Sequence, residues 1–79
     1  MSALREFFIM MKLTPREAEI AELVSEGRSN REIGDMLFIL EKTVKFHLTK
    51  VYKKLNVKSR AQLIVFAFGT APNIDTPER

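Results

Sequence analysis

Seventy-nine residues with no cysteine make a single small domain, near the lower limit for a chain that folds on one hydrophobic core. The lack of thiols excludes a disulfide framework and thiolate metal centres and fits a reducing cytoplasm, while the apolar run Phe7–Met11 is too short for a signal-peptide core or a membrane span. The net charge of +3 is unevenly spread: residues 1–41 carry five basic against eight acidic side chains, and residues 42–68 carry seven basic ones with no acid, so a polyanion is the natural partner of the second segment.

In chain order, residues 1–12 read as a helical extension ahead of the domain proper. At Thr14-Pro15-Arg16-Glu17 the threonine oxygen can accept a backbone N–H, proline suits the first helical position and Glu17 can reach back, the pattern of a capping box. The helix it opens should run to about Ser25 and stop at Gly27, which adopts the left-handed conformation without steric cost. A second box, Ser29-Asn30-Arg31-Glu32, opens a short helix ending near Phe38.

The longest periodic stretch follows, from Glu41 to Leu55. Val44, Leu48, Val51, Tyr52 and Leu55 repeat at the spacing of a buried helix face, and Lys42, Lys45, Phe46, Thr49 and Lys53 form a second stripe pointing away from it. Asn56 suits a C-cap. A third box, Ser59-Arg60-Ala61-Gln62, begins a last helix ending near Gly69, with Ala61, Ile64, Val65 and Phe68 on one side. Residues 70–79, with Pro72 and Pro77, read as a flexible tail. The reading is all-α, with a domain over residues 13–69.

A short capped helix, a tight connection through Phe38-Ile39-Leu40 and a longer basic helix form the helix-turn-helix arrangement. A helix fits the DNA major groove, where Lys45 can donate to guanine acceptors, Phe46 can meet a thymine methyl and the Thr49 hydroxyl can donate or accept. Lys42, Lys50, Lys53, Lys54, Lys58 and Arg60 suit phosphates, which fix register and carry the salt dependence. Two plainer readings compete: a merely solvated lysine face, and a Phe46 packed in the core. The absence of acids from 42 to 68 favours DNA, because a solvated helix more often mixes signs. His47, alone, reads as a packing or phosphate-contacting residue, and Met10, Met11 and Met36 as core or terminal filler. The last helix is apolar on more sides than a small domain can bury, which points to self-association.

These residues resemble the LuxR-type, GerE-like DNA-binding domain of bacterial transcription regulators. The resemblance covers residues 13–68 and rests on Leu13-Thr14-Pro15-Arg16-Glu17, Ser29-Asn30-Arg31-Glu32-Ile33, Lys42-Thr43-Val44-Lys45-Phe46-His47-Leu48 and Lys53-Lys54-Leu55-Asn56-Val57-Lys58-Ser59-Arg60. It implies a four-helix domain that dimerises mainly through its last helix, here through Leu63, Ile64, Phe66 and Ala67, and binds inverted-repeat sites. By position, Lys45, Phe46 and Thr49 match base-facing places, and Asn30, Thr43, Lys50, Lys54, Lys58 and Arg60 match DNA-backbone-facing ones. Glu17 matches an acidic position that looks structural. One departure is Leu40, where the family usually has a serine or threonine cap. Only twelve residues precede Leu13, too few for a sensing domain, so the expectation is a stand-alone regulator rather than a separated output domain.

The expected partners are double-stranded DNA and a second copy of the chain, with room for contact with RNA polymerase and none for a membrane. Neither a cofactor nor an enzymatic activity is expected, since no nucleophile–base pair, phosphate loop or metal cluster can be assembled. Alternatives are a promoter-binding module like region four of a sigma factor, and a helical adaptor whose basic helix docks an acidic partner or membrane surface.

Overall fold

All but one of the described helices start at a side-chain cap. The computed structural model describes residues 2–70, among which five helices and no strand occur: α1 (Ala3–Met10), α2 (Pro15–Ser25), α3 (Asn30–Leu37), α4 (Glu41–Leu55) and α5 (Arg60–Thr70). The tail expected over residues 70–79 lies, beyond Thr70, outside the described residues. At α2, Thr14 Oγ1 accepts from the Glu17 N–H at 3.1 Å and Glu17 Oε1 accepts from the Thr14 N–H at 3.0 Å. Ser29 and Glu32 close the same reciprocal pair at α3, at 3.1 and 2.9 Å. The third box is shifted by one residue. Ser59 Oγ accepts from the Gln62 N–H at 3.2 Å, but the Gln62 side chain accepts from the N–H of Lys58 rather than of Ser59, at 2.7 Å.

Two of the helix stops follow backbone permissiveness. Gly27 takes φ of +94° just after α2, a conformation that costs glycine nothing. Asn56 closes α4 in the left-handed region at φ 58°, which asparagine tolerates.

α2 is the hub, packed against α1, α3, α4 and α5, with α3 also on α4. The core between them is built from Ile20, Val24, Ile33, Val44, Val51 and Leu63, all fully buried. The N-terminal segment is more than an extension. Phe8 of α1 is fully buried in that same core, Phe7 meets Phe66 of α5 at a ring separation of 6.0 Å, and Arg5 Nε donates to Glu22 of α2 at 2.7 Å. A fifth helix thus joins the expected four, seated on α2 and anchored by the buried Phe8. Met10, Met11 and Met36 are exposed rather than core filler.

The α3–α4 turn is tight. The Ile39 N–H donates to the Gly34 carbonyl at 3.0 Å, and a Cβ on Gly34 would stand 2.8 Å from the Ile39 carbonyl oxygen, closer than two such atoms can pack. Glycine is therefore required where α3 meets the turn. Phe38 takes the left-handed conformation at φ 59° while 93% exposed, a strain of about 1–2 kcal/mol for a residue with a Cβ.

Leu40 is the N-cap residue of α4, 68% exposed, and it makes no side-chain cap bond although its backbone (φ −72°, ψ 151°) already has the extended cap conformation. Ile39 beside it packs partly against the core. Leu40→Ser is expected to supply the missing acceptor and raise stability by about 1 kcal/mol, which for a domain this small shifts the melting temperature by roughly 4–8 °C. Calorimetry checks this, and an unchanged or lower melting temperature would show that the cap is not what the turn lacks.

Candidate nucleic-acid interface

The rotation of α4 about its axis is set by its buried stripe. Val44, Leu48, Val51 and Leu55 are buried, and Tyr52 packs partly against them. A helix that buries one stripe at this spacing must turn the opposite one outward. Lys42, Lys45, Phe46, Thr49, Lys50 and Lys53 are all exposed on it. Phe46 is 59% exposed, so core packing does not account for it. Thr43 and His47 lie half-buried along the flanks.

The cationic residues differ in what already holds them. Among the described residues Lys42, Lys45 and Lys53 enter no ion pair. Lys50 places its ammonium 4.6 Å from the centre of the Phe46 ring, a cation–π contact one helical turn apart. Thr49 Oγ1 donates to the Lys45 carbonyl at 3.1 Å, which uses its only proton within the helix.

Lys54 points elsewhere. Its Nζ donates to Glu17 Oε1 at 2.7 Å and to the Lys12 carbonyl at 3.3 Å, tying the end of α4 to the start of α2. Arg60 likewise bridges elements: one Nη donates to the Arg28 carbonyl at 2.8 Å and the other to Asn30 Oδ1 at 2.6 Å. The turn after α2, the start of α3 and the start of α5 therefore converge on one guanidinium. Lys58 stays exposed beside it in sequence. The backbone of Lys12 and Arg28 had no signal in the pattern, since a main-chain carbonyl reveals its partner only once the chain is folded.

The buried Glu17 carboxylate is the electrostatic pivot. Burial would raise its pKa, but the hydrogen bonds from Lys54 and the Thr14 N–H, with the positive charges of Lys54 and Lys50, outweigh it and hold the carboxyl below its ordinary value. Burial pushes the Tyr52 phenol up, opposed by the charge of Arg60.

On α5, the residues expected at a self-association face divide. Leu63 and Ala67 are buried in the monomer core and Ile64 and Phe66 are half-buried, so Leu63 and Ala67 seat the helix on its own domain and leave no surface for a second copy. The exposed apolar positions are instead Ala61, Val65 (71%) and Phe68 (64%). A shallow apolar cleft lined by Val57, Ala61, Gln62, Val65 and Phe66 runs beside them. The expected side of Ala61, Ile64, Val65 and Phe68 is thus mostly the outer one. Apolarity on nearly all sides gave no single direction for the core.

No helix of the described residues is long and apolar enough to cross a membrane, and no group of acidic, histidine or cysteine side chains among them could hold a metal ion. A capped short helix, a three-residue turn and a basic helix with its charged stripe outward define a helix-turn-helix DNA-binding domain. The match to the family model of bacterial regulatory proteins of the luxR family spans residues 11–67, and the chain belongs to that family of DNA-binding transcription regulators. It is 53% identical over 55 residues to the transcriptional regulatory protein LiaR of Bacillus subtilis and 49% identical over 53 residues to the transcriptional regulatory protein DegU of Brevibacillus brevis. Those matches take up 70% and 67% of this chain but only 26% and 22% of the two relatives, so the chain spans about a quarter of their length. The spore germination protein GerE of Bacillus subtilis is 43% identical over 61 residues, which are 77% of this chain and 82% of GerE.

Because the folded pKa of Glu17 is depressed, its ionised form contributes stability above the ordinary value of 4.5, and that contribution is lost as pH falls through the lower folded value. Glu17→Gln is expected to cost about 1–2 kcal/mol at pH 7, discounted because Lys54 is partly solvated. Urea titrations of both proteins should show the gap narrowing as pH drops below 4.5. A gap equally wide at pH 3 would mean that the ion pair is not its source.

Proposed function

We propose that this protein binds double-stranded DNA sequence-specifically as a two-fold pair on an inverted repeat, laying α4 in the major groove to regulate transcription from chromosomal DNA in the bacterial cytoplasm. The observation that carries this reading is the outward stripe of α4: three lysines without ion pairs among the described residues, an exposed ring and a hydroxyl, on a helix whose other side is locked into the core. Long donors and an apolar group at successive turns match what base edges offer in the major groove.

Lys45, Phe46 and Thr49 are the proposed readers of bases. Lys42, Lys53 and Lys58, with Thr43, Asn30 and Lys50, are the proposed contacts to phosphates and sugars. Lys54 and Arg60 contribute less than an unengaged cation, because each is already bonded across elements and offers only its remaining N–H groups. Pairing is proposed through the outer side of α5, where Ala61, Val65 and Phe68 flank the apolar cleft. A two-fold pair would set two reading helices about 34 Å apart, one turn of duplex.

Selection from a random duplex pool, followed by titration of variants, tests the division of roles. Lys45→Ala is expected to relax base preference, with a loss of about 1–3 kcal/mol on the selected site and little on random DNA. Lys53→Ala should weaken binding evenly on all sequences and flatten the slope of log affinity against log salt by about 0.9. The same loss of preference in both variants would overturn the assignment.

A charge placed on the outer side of α5 tests pairing. Val65→Glu should leave the helical circular-dichroism spectrum intact and yield a monomer in sedimentation, with binding to a full inverted repeat reduced to that of a half-site. A paired Val65→Glu protein would place the contact elsewhere.

A further inference from the structure

Within the DNA-binding reading, on which this inference rests, Phe46 is the apolar side chain on the outward stripe of α4. A phenyl ring has no donor and no acceptor, and here it stands 59% exposed on the most cationic surface of the chain. Its companions on the stripe are polar: Lys45 carries only donors, and Thr49 has its proton committed to the Lys45 carbonyl at 3.1 Å. An apolar group inserted among base edges gains nothing from N7, O6, N4 or N6 positions. The major groove presents one apolar substituent, the C5-methyl of thymine.

The ring is also held in place. Lys50 Nζ sits 4.6 Å from its centroid, and the His47 ring meets it edge-on with centroids 5.9 Å apart and planes at 64°. A cation over the ring at an i,i+4 spacing restrains the side chain before any partner arrives, so little rotamer freedom is left to lose on contact. The lysine and the histidine occupy part of the ring's surroundings, and the rest of the ring faces solvent.

We propose that Phe46, positioned by Lys50, reads the pyrimidine C5-methyl group, so that the protein recognises thymine in its site by the methyl itself and responds to C5-methylation of cytosine at the same place. Thymine and uracil present identical hydrogen-bonding edges and differ only in this methyl, which separates methyl recognition from every polar contact. Covering one methyl group is worth about a fourfold change in affinity.

The test uses the full chain and a duplex selected from a random pool, with each thymine replaced in turn by deoxyuridine. For the native protein, at least one replacement per half-site should weaken binding about fourfold, and Phe46→Ala should bind the thymine and uracil duplexes equally. Replacing that thymine by cytosine should weaken binding, and 5-methylcytosine should recover part of the loss. Lys50→Gln is expected to narrow the thymine-to-uracil ratio, and Lys50→Arg to keep it. Because Phe46 and Lys50 lie outside the core, circular dichroism of the variants should match the native spectrum. Native binding indifferent to every uracil replacement, or a ratio that survives in Phe46→Ala, overturns the proposal while leaving DNA binding intact. A ratio unchanged in Lys50→Gln overturns the positioning role. No affinity for any duplex at low salt overturns the DNA-binding reading and this inference with it.

Discussion

Burial of the Val44, Leu48, Val51 and Leu55 stripe is the constraint on which the molecule's surface chemistry depends. Successive residues of a helix are turned by a fixed angle, so fixing one face fixes all others. Rotating α4 by one residue would bury Lys45 or expose Val44, and either change costs more than a small domain can offset. The outward direction of Lys42, Lys45, Phe46, Thr49 and Lys53 is therefore imposed by the core rather than by anything on the outside. For the same reason, these positions can change their chemistry without endangering the fold.

That scaffold holds α4 at both ends by different means. At its start the chain approaches so closely that Gly34 has no room for a side chain, and a backbone hydrogen bond from Ile39 closes the turn. At its end Lys54 reaches back to Glu17 and to the Lys12 carbonyl. Glu17 carries two loads at once, since the same oxygen completes the α2 capping box and receives the ammonium. A buried carboxylate with two donors is well satisfied, which is why it can remain charged there. Lys54 and Arg60 show how a basic segment divides its labour: these two cations brace the fold, while Lys42, Lys45 and Lys53 enter no ion pair among the described residues.

Much of this was legible in the residues because it is written locally. Two reciprocal capping boxes, the glycine at position 27 and the two-stripe pattern of residues 41–55 each involve neighbours within a few positions, so the bounds of α2, α3 and α4 follow from short-range rules. What could not be read is what distance in sequence conceals. Phe8 joins the core only because α1 folds across α2, and Lys54 meets Glu17 thirty-seven residues away. The faces of α5 were ambiguous for a different reason: a helix apolar on nearly all sides has no periodic signal to orient it, and packing alone put Leu63 and Ala67 inside and Val65 and Phe68 outside.

The turn between α3 and α4 runs against the consistency of the rest. Phe38 sits in a conformation better suited to glycine, and Leu40 leaves α4 without the side-chain cap that opens α2 and α3. Together these two positions give up on the order of 2 kcal/mol within three residues. The loss is tolerable because the turn is over-determined by its surroundings: the Gly34 approach fixes its path, Ile39 packs partly against the core, and Glu41 in the first turn of α4 offsets part of the missing cap through the helix dipole. Strain of this kind lowers stability without changing where α4 points, since direction comes from the buried stripe and not from the cap. The orientation of the outward stripe and the stability of the helix that carries it are thus governed by different residues, and a change at position 40 can alter the second while leaving the first untouched.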